Sequence, residues 1–333
     1  MSSTDNRQNV LVTGGAGFIG SHLVECLAES GSRITVVDDL STGRESNLDQ
    51  VRKNHPKSIT LIRSDLAEWL EKDGASKRFD QIYHLAAAVG VRLVVEDPIR
   101  TIETNINQTF SVLKFAQEDN TPLLLASTSE VYGKGLKSSF EEDDDMVYGP
   151  TSRSRWSYAC SKAIDEYLAL ANYRDKELPV TIVRFFNTVG PRQVGEYGMV
   201  LPRFIERAIA NEPIEVYGDG KQTRCFCDVR DVVPALPKLV SNPNCHGKIM
   251  NIGTDRQISI YELALLVKGE LSSASEISIV PYEKAYTEGF EDLQVRVPNL
   301  SRIRAAIDFN PQIKLEETIR DIAMTMSSRE VTP

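Results

Sequence analysis

Asn9-Val10-Leu11-Val12-Thr13-Gly14-Gly15-Ala16-Gly17-Phe18-Ile19-Gly20 decides the fold. A short apolar run of strand character ends in a glycine-rich turn, and a helical pattern (Phe18, Ile19, Leu23, Val24, Leu27) leaves it. The glycines are spaced GxxGxxG. Gly14 permits a tight turn, Gly17 lets backbone N–H groups approach a phosphate at the positive end of a helix, and Gly20 lets helix and strand pack closely. A purely structural turn would use glycine as well. What distinguishes the two readings is the next strand-like run, ITVVD (34–38), which ends on Asp38. A carboxylate there accepts both hydroxyls of a ribose and repels a 2′-phosphate, so the pattern points to NAD rather than NADP. Arg44 is the nearby residue that works against this preference.

Outward from that unit the alternation continues with ITLI (59–62), QIYHLA (81–86), a helix over about 98–118, PLLLAST (122–128), a helix over about 155–174 and VTIVRFF (180–186). Short apolar strands alternating with helices predict an α/β fold, a doubly wound parallel sheet covered on both faces. After residue 187 helical stretches mix with short strands, which predicts a smaller α+β substrate domain. The division is therefore 1–187 and 188–333, with the runs near 180 and 248 both able to join the main sheet. Pro234 and Pro237 predict a broken helix, and the acidic run 141–145 reads as a solvated loop.

The 333 residues are 41% hydrophobic and 26% charged, with a net charge of −9. No basic footprint for nucleic acid or an anionic membrane exists, so an anionic ligand has to be held locally by arginines and helix N-termini. Cys26, Cys160, Cys225, Cys227 and Cys245 form no CxxC pair, and with four histidines a metal site is not expected. Cys225 and Cys227 read as alternation along one strand. The thiols are taken as reduced, as in cytoplasm. The polar start MSSTDNRQN lacks the apolar core of a secretion signal, and no apolar run approaches the ~20 residues that span a bilayer.

GGAGFIG, DDLSTG (38–43), SDL (64–66), HLAA (84–87), STSEVYG (127–133), Tyr158-x-x-x-Lys162, RFFNTVGPR (184–192) and GDGKQTRCF (218–226) follow one another in a telling order. Over nearly the whole chain this resembles the extended short-chain dehydrogenases, the NAD-dependent epimerase/dehydratase enzymes of nucleotide sugars. The resemblance implies a Rossmann-type fold, bound and recycled NAD, a nucleotide sugar (UDP-linked) as substrate, and a homodimer. The dimer would form through helices 98–118 and 155–174, with Ile102, Ile106, Phe110 and Leu113 on one and Ile164, Leu168 and Ala171 on the other. In this reading Tyr158 takes the proton of the sugar 4-hydroxyl. Lys162, one helical turn on, holds the ribose and favours the phenolate, because a free phenol has a pKa near ~10. Thr128 or Ser129 bonds the 4-oxygen. The cofactor site would comprise Gly14, Gly17, Phe18, Ile19, Asp38, Asp39, Leu40, Thr42, Gly43, Asp65, Leu66, Leu85, Ala86, Ala87 and Asn105. Asn187, Arg192, Arg224 and Arg296 would hold the substrate.

The 4-keto sugar made this way can be epimerised, dehydrated or, if C6 is a carboxylate, decarboxylated. Glu130 completes a Thr-Ser-Glu arrangement similar to that of UDP-glucuronate decarboxylases, which makes decarboxylation the first expectation. RWSYACSK (155–162) and KQTRCF (221–226) resemble the decarboxylase domain that prepares aminoarabinose for lipid A, and the resemblance gives the matching Arg224 a catalytic part. GPRQVGEYGMVLPRF (190–204) is closer to uronate and hexose 4-epimerases, where Arg192 would meet a sugar carboxylate and Arg92 is a second candidate. Epimerisation is therefore the alternative, then 4,6-dehydration. A silent NAD-binding scaffold on the same fold is the non-enzyme reading, against which Tyr158, Lys162 and Thr128 stand intact.

Overall fold

The computed structural model describes residues 7–88, 97–135, 137–195, 199–282 and 296–330. Its first part runs β1 (Asn9–Thr13), α1 (Phe18–Glu29), β2 (Arg33–Asp38), α2 (Asp49–Asn54), β3 (Ile59–Arg63), α3 (Leu66–Glu71), β4 (Gln81–His84), α4 (Pro98–Asp119), β5 (Leu123–Thr128), α5 (Ser157–Lys176) and β6 (Val180–Phe185). The second part holds β7 (Thr188–Val189), α6 (Val200–Ile209), β8 (Ile214–Tyr217), β9 (Thr223–Cys225), β10 (Cys227–Asp228), α7 (Val229–Val232) and α8 (Ala235–Val240). It ends with β11 (Lys248–Ile252), β12 (Gln257–Ser259), α9 (Ile260–Glu270), β13 (Ile277–Val280), α10 (Ser301–Ile307) and α11 (Leu315–Glu330).

Seven parallel strands form one sheet in the order β11-β6-β5-β4-β1-β2-β3. Val10, Leu11 and Val12 are all fully buried because both faces of β1 are covered. The pleat sends Val10 and Val12 into one cluster with α1 residues Leu23, Val24 and Leu27. Leu11 goes into another, with Leu66, Trp69, Val112, Phe115 and Ala169 of the helices on the opposite face. The order reverses at β1, which pairs with β2 on one side and β4 on the other. Beyond the carboxyl ends of these strands a crevice opens, the place where open α/β sheets bind ligands.

Both late runs join the sheet, since β6 and β11 pair from Thr181↔Lys248 to Phe185↔Ile252. The rest of the second part builds its own core from α6, α9 and α11 (Phe204, Ile205, Leu263, Val267, Ile319, Ile322) beside the parallel β8–β13 pair. Pro234 separates α7 from α8, as its missing N–H requires. Cys225 and Cys227 are buried but lie in two different short strands, not one. All five cysteines are free. Among the described residues no helix is long and apolar enough to cross a membrane.

Glu141, Asp143 and Asp145 of the acidic run are exposed, as a solvated loop requires, but Glu142 turns inward. Glu142 is buried, and its Oε1 accepts the Asn251 N–H of β11 at 2.9 Å. Asn251 Oδ1 in turn accepts the Tyr132 hydroxyl. Next to this lies a buried fork: Arg184 of β6 donates Nε and Nη2 to Glu166 of α5 at 2.9 and 2.6 Å, and Nη1 to the Glu142 carbonyl. Ser127, at the end of β5, donates to the same Glu166 at 2.5 Å. Removing one partner of such a pair strands the other charge away from water, at about 3–5 kcal/mol. Arg184→Leu is expected to lower unfolding stability by that order in urea denaturation; an unchanged midpoint would show that the fork carries no structural load.

Candidate active site

The glycine turn, the ends of β2, β3, β4 and β5 and the first turns of α5 all open onto one cavity of about 640 Å³. Gly14 has φ +68°, and a Cβ on it would lie 2.7 Å from the Ala86 nitrogen; one on Gly20 would lie 2.1 Å from the Gly14 carbonyl oxygen. The turn is thus built from backbone pressed on backbone. Gly17 caps α1 without any side-chain hydrogen bond, which leaves the positive helix end open to an anion.

Asp38 ends β2 with its Oδ2 accepting the Ala16 N–H and its Oδ1 the Leu40 N–H, both at 2.9 Å. Burial raises its pKa above the ordinary carboxylate value, while those two hydrogen bonds and a third from the Gly17 N–H pull the other way. A carboxylate has about four lone-pair positions, so acceptor capacity remains for a ribose. A Cβ on Gly43 would come 2.9 Å from Asp38 Oδ1, so Gly43 makes room for the carboxylate while lying outside the cavity wall. Leu40 turns into the core instead, at φ +61°. Asn105 stands behind the wall: its Oδ1 accepts the Ala88 N–H at 2.8 Å and its Nδ2 donates to Ser161 of α5. Gly14, Gly17, Phe18, Ile19, Asp39, Thr42, Asp65, Leu66, Leu85, Ala86 and Ala87 line the cavity with Asp38.

At the other end stand Thr128, Ser129, Glu130, Tyr158 and Lys162. The Thr128 hydroxyl accepts the Glu130 N–H at 3.2 Å and shares a hydrogen bond with the Tyr158 phenol. Burial pushes the phenol well above its usual pKa; the charges of Glu130 and Asp165 add to this, and Thr128 and Arg296 oppose it. The Lys162 ammonium sits 2.7 Å from Asp165 Oδ2, both side chains buried. Asp165 was not among the expected site residues, although an acid at i+3 on the same helix is its sequence signal. His84 fills in beneath, bonded to Thr13 and Thr109, and burial followed by the Lys162 charge drives its pKa down to about 3, so it serves as a neutral strut.

The arginines separate sharply. Arg296 Nη2 lies 3.5 Å from Glu130 Oε1, with both side chains largely buried in the cavity wall. Arg224 is buried in β9, donates to the Thr223 carbonyl and is not part of the wall. Arg192 lines the cavity but places its guanidinium on Glu25 (2.7 Å) and Ser21 of α1, at the phosphate-turn end rather than beside Tyr158. Asn187 lines the cavity and donates to the Cys225 carbonyl. Arg92 lies outside the described residues. Sequence reading missed the wall formed by Arg100, Thr104 and Gln108 of α4; their i, i+4, i+8 spacing was the available signal.

Residues 10–253 match the NAD dependent epimerase/dehydratase family. The chain belongs to that family. It is 40% identical to the UDP-N-acetyl-alpha-D-glucosaminuronate decarboxylase of Bacillus cytotoxicus over 95% of this chain and 96% of that one. With UDP-glucuronic acid decarboxylase 1 of Arabidopsis thaliana it shares 36% identity over 93% of this chain and 68% of the relative. A UDP-glucose 4-epimerase from Thermotoga maritima, solved with UDP-glucose, superposes with a TM-score of 0.85 at 27% identity, covering 97% and 99% of the two chains. The family's cofactor is NAD, and the residues fit it: an uncapped helix end, a turn with no side chain in the way, Asp38, and two buried wall oxygens, Gln108 Oε1 and Ser129 Oγ, without partners among the described residues. Asp38→Ala is expected to weaken NAD binding by about 10-fold or more, the scale of one hydrogen bond to a charged group. Calorimetry reads it, with circular dichroism as the control for folding; unaltered affinity would remove Asp38 from the ribose.

Proposed function

We propose that the protein decarboxylates a UDP-linked hexuronic acid, with UDP-glucuronate or its 2-acetamido analogue as substrate. The observation that carries this is the Glu130–Arg296 pair beside Tyr158. The 40% identical decarboxylase supports it. The nucleotide sugar would lie between the Tyr158 end of the first part and residues 188–333, with Asn187 beneath it.

NAD, when bound, supplies a two-electron acceptor for C4 and returns the hydride at the end. Tyr158 takes the proton of the 4-hydroxyl; the bound cofactor's positive ring supplies charge that favours the phenolate against burial. The resulting 4-keto uronate carries its carboxylate β to the ketone. The C5–C6 bond breaks, CO₂ leaves, and the electron pair moves into an enolate spread over C5, C4 and O4. Thr128 and Ser129 present hydroxyls to O4, and the partnerless Ser129 Oγ suits that duty. Arg296 meets the departing carboxylate, held in place by Glu130, and the pair hands a solvent proton to C5. This replaces the expected catalytic part of Arg224 and the expected sugar contact of Arg192.

The 4-epimerase reading is favoured by the Thermotoga maritima structure. Incubation with UDP-glucuronic acid and its 2-acetamido analogue, followed by mass spectrometry and NMR, separates the two. Loss of CO₂ is expected; unchanged mass with inverted C4 would replace decarboxylation by epimerisation. Tyr158→Phe is expected to cost about 10²–10⁴ in turnover. Arg296→Ala is expected to cost about 10²–10³, the scale of one transition-state charge partner, with NAD affinity unchanged.

The protein is further proposed to be a cytoplasmic homodimer. Ile99, Ile102 and Phe110 of α4 and Ile164 and Tyr167 of α5 are exposed, a two-helix apolar face, whereas Leu113 of the expected stripe is buried within the subunit. Light scattering at micromolar concentration is expected to give a dimer that Phe110→Glu with Tyr167→Glu converts to monomer; a monomeric wild type would remove the dimer.

A further inference from the structure

We propose that Gln108 reads the adenine of the bound dinucleotide, its Oε1 accepting a hydrogen bond from the 6-amino group. Gln108 is 7% exposed, lines the cavity, and its Oε1 is buried with no hydrogen-bond partner among the described residues. Leaving such an acceptor unmet in the folded protein is unfavourable, and a partner brought by a ligand resolves it.

Its place on α4 says which part of the ligand that is. One flank of α4 faces α5: Asn105 Nδ2 donates to Ser161, and Gln117 Nε2 to the Lys176 carbonyl. At about 100° per residue, Gln108 lies about 60° round the helix from Asn105 and about 180° from Gln117, in line with Phe115 two turns on. Phe115 meets the ring of Phe79 at 6.1 Å, in the cluster that holds Leu66 and Trp69 of α3. Gln108 therefore looks toward the start of α3, where Asp65 and Leu66 also line the cavity. Tyr158 and Lys162, where the reacting ring belongs, are on the α5 side. The end near Asp38, Asp65 and Leu66 is left to the adenosine half.

At that end Asp65 already spends Oδ1 on the Glu68 N–H, which it caps. The carboxamide of Gln108 offers what the edge of adenine lacks. Adenine presents an amino donor beside a ring-nitrogen acceptor, the pattern that Gln and Asn amides match in pairs. Hypoxanthine turns the 6-position into an acceptor, which in the present orientation of the amide sets oxygen against oxygen.

The inference rests on the cofactor placement given above, not on decarboxylation. Protein stripped of bound dinucleotide is titrated calorimetrically with NAD and with nicotinamide hypoxanthine dinucleotide. The wild type is expected to prefer NAD by about 10-fold, one hydrogen bond lost plus an unpaired acceptor. Gln108→Leu is expected to bring the ratio close to one by weakening NAD. Gln108→Met, which keeps the length of the side chain, guards against a packing loss and should do the same. Equal binding by the wild type, or a ratio unmoved in both variants, would overturn the proposal. Failure of the wild type to bind either dinucleotide would overturn the cofactor placement and this proposal together. An NAD preference that vanishes in the variants, in a protein that leaves uronates untouched, would sustain Gln108 and remove only the reaction.

Discussion

The whole arrangement depends on backbone packed against backbone at the point where the sheet reverses. A Cβ on Gly14 would run into Ala86, and a Cβ on Gly20 into Gly14. Only because both are absent can β1, β4 and α1 converge closely enough for one helix end and two strand ends to share a cavity. Asp38 reinforces the convergence by accepting the Ala16 N–H from the same turn. The ligand site is therefore made by the packing that makes the fold.

This explains which features were legible in the sequence. The glycine spacing, the acid closing β2 and the strand–helix alternation are local signals with local causes, and the sheet follows from them. Tyr158 and Lys162 were legible because one helical turn links them. Asp165, which meets Lys162, carried only an i+3 spacing, and the Glu130–Arg296 pair is joined across the fold. Arg296 meets Glu130 from far along the chain, and a motif match drew attention to Arg224, which lies in β9 away from the wall. Glu142 sits in a run whose composition suggests solvent, yet one of its five acids is buried against β11. Charge counts report the average of a segment, not the side to which a single residue turns.

Burial sets the electrostatic terms at the reacting end. Desolvation and two nearby carboxylates hold the Tyr158 phenol protonated, and the Lys162 ammonium is matched by Asp165. The side chains alone thus keep the proton on the tyrosine. In the proposed reaction an oxidised nicotinamide ring would supply the positive charge that draws it off. Such coupling would make the proposed base competent when the oxidant is present and idle when it is absent. That is a useful property for a site whose cofactor must stay in step with its substrate.

In the proposed chemistry the tyrosine, lysine and threonine would serve epimerisation, dehydration and decarboxylation alike, since all three begin with a ketone at C4. The choice between them is made at C5 and C6, by what stands there to receive a carboxylate or a proton. In this protein Glu130 and Arg296 stand next to the phenol. A guanidinium paired with a carboxylate is held in position and partly neutralised, which lets it meet a second carboxylate without immobilising it. Weak retention of that group is what loss of CO₂ demands, because a carboxylate bound strongly in the ground state would have to be released before the C5–C6 bond could break. Under the proposed reading the pairing would thus favour the reaction in which the carboxylate departs over the one in which it serves only as a handle.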